Sequence, residues 1–126
     1  MRMTLTTLFV ADYDEAIAFY VDRVGFTLLE DTPLSPGKRW VVAAPAADGP
    51  GLLLAKAADE AQRARIGDQG GGRVMFFVQS DDFAADHARM TAGGVRFVEG
   101  PRHEAYGTVA VFEDLYGNRW DLIQPA

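Results

Sequence analysis

The feature of this sequence that most constrains its fold is an order of elements that occurs twice along the 126 residues. Each half begins with a short apolar and β-branched run, continues with a helical pattern that ends at glycine, and closes with three strand-like runs. An offset of 68 residues places Phe9 on Phe77 and Val10 on Val78. Because this match rests on periodicity and turn residues rather than on identity, it indicates a duplicated βαβββ module.

The first module is predicted to open with a strand at residues 5–10. Asp12 followed by Glu15 is typical of a capped helix start. The helix is expected at residues 13–24, because apolar side chains recur there at helical spacing and Gly25 suits a left-handed C-cap. The three strands that follow are predicted at residues 26–30, 39–44 and 52–55.

The second module repeats this order, with Ser80 as its helix-cap candidate. Its strands are predicted at 74–78, 95–99, 108–112 and 119–123, and its helix at 81–92. Within a single domain of residues 1–126, a linker at 59–72 then joins modules at 1–58 and 73–126. The linker should begin with a short helix and ends in glycines that lack the Lys-Ser or Lys-Thr of a phosphate-binding loop, which favours a hinge.

Composition limits the classes of partner. A formal net charge of −6 without a basic cluster disfavours nucleic acid and anionic membrane surfaces. The absence of cysteine excludes disulfides, thiolate zinc sites and a cysteine nucleophile. The first residues meet acidic side chains too early for a signal peptide, and no apolar run reaches membrane-spanning length, so we expect a cytoplasmic protein.

Five segments resemble the vicinal oxygen chelate superfamily, which groups glyoxalases, bleomycin resistance proteins and extradiol dioxygenases. They read LFVADYDEAIAFYVDRVGF, RWVVAAP, MFFVQSDD, GGVRFVEGP and YGTVAVFEDLYGNRW, and they are distributed along nearly the whole chain, from Leu8 to Trp120. The most specific part is residues 112–118, close to the family's F-x-D-P-x-G-N turn, with Leu115 at the usual proline position. The resemblance implies an α+β fold in which two βαβββ modules form a curved mixed sheet around a central cavity, and it implies a homodimer.

Enzymes that this chain resembles hold a divalent metal with His, Gln or Glu from the first and last strand of each module. Carried onto this sequence, the four positions are Leu5, Leu53, Arg73 and Asp121. Leucine cannot coordinate a metal, a guanidinium offers no lone pair, and one carboxylate makes a poor site. A slip of one residue would bring Thr6 or Leu54 inward, and neither is a strong ligand. We therefore expect no metal centre and no cofactor.

Arg73 and Asp121 admit two interpretations, because the repeat places them on strands that could be neighbours. The simpler one is a structural ion pair that fills the vacated metal position, since partly buried charges need partners. In the other, Arg73 grips an anionic or carbonyl group of a ligand and Asp121 orients it. Both interpretations predict a polar or charged group on the otherwise apolar surface of the cavity.

The two histidines are the remaining candidates for proton transfer near neutral pH. His87 aligns with a core-facing position of the first helix, which favours a packed or partly exposed helix histidine. His103 lies in a predicted loop, residues 101–106, that would border the mouth of the cavity. There Glu104 or Tyr106 could assist it in acid–base work, although a solvated loop histidine is the simpler interpretation.

Strand alternation assigns side chains to the cavity or to the helices. By this alternation Leu5, Thr7 and Phe9 face the cavity, whereas Trp120 and Leu122 pack beneath the helices. An apolar lining with a few polar anchors suits a flat apolar or aromatic ligand, on which an aromatic side chain could stack. The predicted ligand-binding residues are Leu5, Thr7, Phe9, Trp40, Leu53, Arg73, Tyr106 and Asp121.

Three functions are compatible with such a cavity, whose shape depends on predicted loops at 31–38 and 101–106. The first is metal-independent binding or sequestration of a small apolar or aromatic molecule, as in antibiotic resistance. The second is a glyoxalase-like lyase or isomerase, or a dioxygenase-type enzyme, with acid–base groups drawn from His103, Glu104 and Asp121. The third is a collapsed cavity with a role in subunit contacts only. The missing metal ligands favour the first.

Overall fold

Each half of the chain folds into a four-stranded mixed sheet with helices, in the order that the sequence predicts. The computed structural model describes all residues from Met1 to Ala126. It divides into two compact units, Met1–Gly67 and Asp68–Ala126, whose boundary falls inside the predicted linker at 59–72. The α+β class is therefore confirmed, as is the repeated βαβββ order. None of the helices has the length and apolar composition needed to cross a membrane.

The first unit contains a sheet with the strand order β1-β4-β3-β2. The parallel pair β1·β4 lies at one side, and β3 runs antiparallel to both β4 and β2. Its elements are β1 (Leu5–Val10), α1 (Tyr13–Ile17) with a π-helical continuation (Ala18–Val24), β2 (Thr27–Ser35), β3 (Lys38–Ala44), β4 (Gly51–Lys56) and α2 (Glu60–Arg63).

The first helix begins and ends as its sequence signals predict. The Asp12 side chain accepts a hydrogen bond of 3.0 Å from the Glu15 amide, and Gly25 adopts a left-handed φ of 100°. Its second half is π-helical, which apolar spacing alone does not distinguish from an α-helix. In this segment the adjacent Phe19 and Tyr20 are both buried, with ring centroids 5.1 Å apart in an edge-to-face contact.

Burial alternates along the parallel strands β1 and β4 of the first sheet. Leu8 and Val10 of β1 are fully buried, and so is Leu54 of β4, while the residues between them are partly exposed. The helix α1 packs against β3 and β4, so the buried side chains form the core beneath it. The opposite side, which carries Leu5 and Phe9, is called here the open face of the sheet.

The second unit repeats this topology with the strand order β5-β8-β7-β6. Trp120 and Leu122 are buried, which confirms their predicted position in the core. The Trp120 ring lies 4.5 Å from that of Phe76 and 5.8 Å from that of Phe112. The elements are β5 (Val74–Gln79), α3 (Phe83–Ala92), β6 (Arg96–Glu104), β7 (Gly107–Glu113) and β8 (Arg119–Pro125).

The two predicted loops at 31–38 and 101–106 are largely strand, so that prediction is wrong. β2 continues to Ser35 and β6 continues to Glu104, each nine residues long. Both are edge strands of their sheets. An edge strand needs no apolar alternation and tolerates proline, so Pro33 and Pro101 do not end these strands as the sequence pattern suggests.

The N-cap of α3, the helix of the second module, also differs from the predicted one. Asp82, rather than Ser80, accepts the capping hydrogen bond, from the Ala85 amide at 3.1 Å. The Ser80 hydroxyl instead accepts from the Asp82 amide at 3.1 Å and donates to the Asp86 carboxylate at 2.5 Å. The buried serine thus holds the turn that leads into α3.

Candidate functional site

The open face of the first sheet carries a groove built on three aromatic and apolar side chains. Thr7 lies opposite Leu53 in the parallel ladder, and Val42 lies opposite Leu53 on the other side. Residues directly opposite one another share a face, and so do residues two apart along a strand. Phe9 and Trp40 therefore lie on the same face as Leu53.

The groove has a volume of about 450 Å³ and is lined by Phe9, Trp40 and Leu53, after which it is called here the Trp40 groove. Trp40 is 37% exposed, so part of its indole ring is open to a ligand. Leu5 lines a neighbouring groove of about 290 Å³, which also includes Trp40. The structure thus brings together three of the predicted ligand-binding residues and places Leu5 beside them.

Five polar or charged side chains of the Trp40 groove were not predicted from the sequence: Tyr13, Lys38, Arg39, Lys56 and Gln62. The buried Tyr13 hydroxyl accepts a hydrogen bond of 3.2 Å from the Arg39 amide, and the guanidinium lies 5.1 Å from the tyrosine ring centroid. Both lysines of the chain lie in this lining, which only the pairing of β3 with β4 reveals.

Arg39 is held in place by two carboxylates. Its guanidinium donates a bidentate pair to Asp31 at 2.7 and 3.0 Å and a further bond to Asp14 at 2.9 Å. The hydrogen bonds that Arg39 donates to Asp31 and then to Asp14 raise the pKa of Arg39, and the same bonds to Asp31 lower the pKa of that carboxyl. Arg39 therefore acts as a fixed, neutralised wall of the groove.

In the second unit, Asp121 lies on the face opposite to Trp120 and Leu122. It pairs with Phe77 in the parallel ladder and with Val111 in the antiparallel one. Burial raises the pKa of the Asp121 carboxyl, Arg102 lowers it, and Glu99 raises it. Phe77 beside it is 68% exposed.

Arg73 does not occupy the position predicted for it. It precedes β5, is exposed, and forms no ion pair with Asp121, so the predicted structural pair is wrong. A register shift between Val74 and Phe76 inserts one residue into β5. Val74, which lies opposite Arg119 in the ladder, is therefore the residue equivalent to Leu5 of the first unit. The offset of 68 residues used for the sequence comparison gives Arg73 instead, one residue too early.

His103 faces away from Asp121, although both are candidate catalytic residues. It pairs with Thr108, whose hydroxyl lies 3.1 Å from its Nδ1, and Thr108 pairs with Gln124. The Gln124 side chain accepts a hydrogen bond from the Phe83 amide at the start of α3. His103 thus lies in a strand, on the side of the sheet that carries the helix.

Glu104 lies one residue further along β6 and pairs with Arg102 at 3.2 Å. Arg102 also pairs with Glu99 at 2.8 Å, and a hydrogen bond with the exposed Tyr106 raises its pKa. In the strand ladders Arg102 lies opposite Val109, and Val109 lies opposite Ile123, which is two residues from Asp121 on β8. The side chains of this cluster therefore lie on the same face of the sheet as Asp121.

His87 is a packed helix histidine, as predicted. Its ring stacks on Phe83 at 5.6 Å and lies 4.2 Å from the Phe97 ring. Its Nε2 is buried without a hydrogen-bond partner, and it belongs to no group of three or more His, Asp or Glu side chains that could hold a metal ion.

The residues at the family's metal positions do not fit a metal centre. Leu5 and Leu53 have no donor atom, Val74 replaces Arg73 at the third position, and only Asp121 offers a carboxylate. No group of three or more His, Asp or Glu side chains comes together in the structure.

Comparison with known proteins agrees with this architecture. The sequence model of the Glyoxalase/Bleomycin resistance protein/Dioxygenase superfamily matches residues 2–122. An uncharacterized protein of Shewanella frigidimarina (strain NCIMB 400) is 54% identical over 119 residues, which cover 93% of this chain and 88% of that protein.

Two solved structures share the fold over almost their whole length. The structure of TnmS3, an antibiotic binding protein from Streptomyces sp. CB03234, has a TM-score of 0.80 and 31% identity, and the match covers 100% of this chain and 97% of that one. UcmS2 has a TM-score of 0.84 and 28% identity, with coverage of 98% and 97%. The fold predicted from the sequence is confirmed by these matches.

Proposed function

This chain belongs to the glyoxalase/bleomycin resistance protein/dioxygenase superfamily, and we propose that it binds and sequesters a planar apolar or aromatic small molecule without the help of a metal ion. The observation that carries the proposal is the Trp40 groove, in which a partly exposed indole lies beside Phe9 and Leu53. Its volume of about 450 Å³ is in the range of pockets that hold drug-sized ligands.

The polar surroundings of the groove also favour binding. Tyr13 and Arg39 are fixed by their mutual contact and by the Asp14 and Asp31 carboxylates, so the wall is ordered before a ligand arrives. A preformed site loses less conformational entropy on binding than a mobile one. TnmS3, to which this chain is 31% identical, is an antibiotic binding protein, and this similarity supports the same class of function.

Tryptophan fluorescence tests the proposal, because the two tryptophans differ in environment. Trp40 is 37% exposed in the groove, whereas Trp120 is 4% exposed and packed in the other unit. A planar aromatic probe, anthracene carboxamide, should quench the emission of Trp40 when it stacks on the indole. Trp40→Ala removes this reporter, so its binding is measured by calorimetry, which should show affinity weakened about tenfold or more, as expected for a central aromatic contact.

The control variant is Tyr106→Phe, which changes an exposed aromatic residue of the second unit and keeps both tryptophans. It should bind the probe as the wild type does, although the sequence places Tyr106 among the ligand-binding residues. Undiminished binding by Trp40→Ala would contradict the proposed site. Affinities should also be the same after dialysis against a chelator and after addition of nickel, zinc, manganese or iron(II), whereas a dependence on metal would contradict the metal-independent part.

An enzyme of the glyoxalase-like lyase, isomerase or dioxygenase type is the second candidate function. One observation favours it: burial raises the pKa of Asp121, and such shifts are frequent in acid–base groups of active sites. Turnover of a carbonyl substrate that disappears in Asp121→Asn, with folding intact, would favour this candidate over sequestration.

The proposal includes the oligomeric state and the compartment that the family resemblance and the sequence suggest, namely a homodimer in the cytoplasm. Light scattering of the purified chain should give twice the mass of 13.7 kDa. A monomeric mass at all concentrations would contradict the proposed homodimer, and the Trp40 groove would then be a site within one chain.

A further inference from the structure

We propose that the ligand of the Trp40 groove carries an anionic oxygen group, such as a carboxylate or phenolate, and that Lys38 and Lys56 hold this group. This inference rests on the proposed binding function and names the chemical class of its ligand. It starts from the distribution of one residue type. The chain has 12 basic residues, yet only two of them are lysines, and both line the same groove.

The fold explains how two lysines far apart in the sequence come together. Lys38 is the first residue of β3 and Lys56 is the last residue of β4. Because these strands are antiparallel, with Val42 opposite Leu53, the first residues of β3 and the last residues of β4 lie at the same end of the sheet. Both lysines therefore lie at the same end of the sheet, and each contributes to the lining of the groove.

Neither lysine is committed to an interaction within the protein. No ion pair or side-chain hydrogen bond involves Lys38 or Lys56, and both side chains are exposed. Arg39 between them in the lining is different, since Asp14 and Asp31 bind its guanidinium. The cations with donors to spare are the two lysines, which offer three N–H donors each.

The charge of the groove is opposite to that of the chain. The net charge is −6, but no aspartate or glutamate is among the residues that line the groove. Asp14 and Asp31, which bind Arg39, are outside the lining as well. An acidic molecule with a locally cationic groove selects an anionic ligand there, because the rest of its surface repels one.

The apolar and cationic parts together define the shape of the ligand. Phe9, Trp40 and Leu53 offer an apolar surface against which a planar ring system can lie. The lysines lie at one end of that surface, so the anionic group must project from an edge of the rings. A neutral ring system would fill the floor and leave the lysines solvated.

A matched pair of probes tests the inference on the full chain. Anthracene carboxylate and anthracene carboxamide share their ring system and nearly their shape, and they differ in charge. We expect calorimetry at low salt to show that the carboxylate binds about fivefold more tightly than the carboxamide, a ratio in keeping with ion pairs at a partly exposed site. The ratio should fall as salt screens the lysines.

The double variant Lys38→Met, Lys56→Met should lose this preference and keep its affinity for the carboxamide, which also shows that the groove is folded. Arg2→Met, which removes an exposed positive charge outside this groove, is the matched control and should keep the preference. Equal affinities of the two probes for the wild type would overturn the inference and leave the proposed function intact. A preference that survives in the double variant would also overturn it, and failure of both probes to bind would overturn the inference and the proposed function together.

Discussion

Asp114 forms the polar centre of the turn between β7 and β8, and its replacement gives a large expected effect. Its carboxylate accepts hydrogen bonds from the amides of Tyr116 and Asn118, both at 2.9 Å, and from the Asn118 side chain at 2.8 Å. Asp114 and Asn118 are both buried, so water cannot replace these bonds without a change in the turn. Asp114→Ala should therefore leave three donors without their acceptor.

The expected loss follows from those three bonds. A hydrogen bond to a charged group contributes about 1.5–3 kcal/mol, and a donor left buried and unsatisfied costs about 1–3 kcal/mol. Some relaxation of the turn towards solvent will recover part of this, so we expect Asp114→Ala to lower the free energy of unfolding by about 4 kcal/mol. That is a large share of the roughly 5–15 kcal/mol that stabilises a typical domain.

Asp114→Asn is the matched control, because the turn contains an acceptor that can adapt to it. The Asn118 side-chain oxygen is buried without a hydrogen-bond partner. If the Asn118 amide rotates by half a turn, that oxygen can accept from the new amide at position 114, while the remaining oxygen still accepts from the two backbone amides. We expect this variant to lose about 1 kcal/mol. Urea denaturation should give these differences with an unchanged m-value, and a loss below about 1 kcal/mol for Asp114→Ala would refute the reasoning.

Two further predictions concern the same sheet. The Gly117 amide donates a hydrogen bond of 3.1 Å to the Asp114 carbonyl and closes a turn in which Leu115 is the second residue and its own amide donates no hydrogen bond. Leu115→Pro should therefore raise the free energy of unfolding by about 0.5–1 kcal/mol, because proline suits this position and restricts the unfolded chain. A lower free energy of unfolding in urea denaturation would contradict this prediction. Asp121→Asn should alter the pH dependence of stability. Because the pKa of Asp121 is raised in the folded state, its ionisation weakens the wild type as pH rises from its ordinary value of 3.8 through the folded pKa. The stability of the variant relative to the wild type should therefore increase over that interval and then stay constant, and a difference independent of pH in denaturation series from about pH 3 to about pH 8 would contradict it.

The parts of the fold that could be predicted from the sequence are those with one buried face. β1 was predicted with its observed bounds, because the apolar run ends where Asp12 caps the helix. The edge strands β2 and β6 were predicted too short, because their outer residues are exposed and show no apolar alternation. The register shift in β5 that separates Arg73 from Asp121 leaves no local signal, since it is set by pairing with β8.

The candidate site shows the same division. Phe9 and Leu53 could be assigned to the open face because alternation is regular along β1 and β4. Lys38 and Lys56 could not be brought together from the sequence, because their proximity depends on the antiparallel pairing of β3 with β4. The orientation of His103 away from Asp121 likewise depends on the extension of β6 into a strand.

The measurement that tests the central claim most directly is the location of a bound planar aromatic probe by nuclear magnetic resonance of the isotopically labelled chain. Anthracene carboxamide should shift the signals of Phe9, Trp40 and Leu53, and it should give intermolecular Overhauser effects to the Trp40 indole. The same spectra should show no change at Trp120. We expect saturable binding with these contacts. Shifts confined to residues outside the Trp40 groove, or no saturable shift at all, would contradict it.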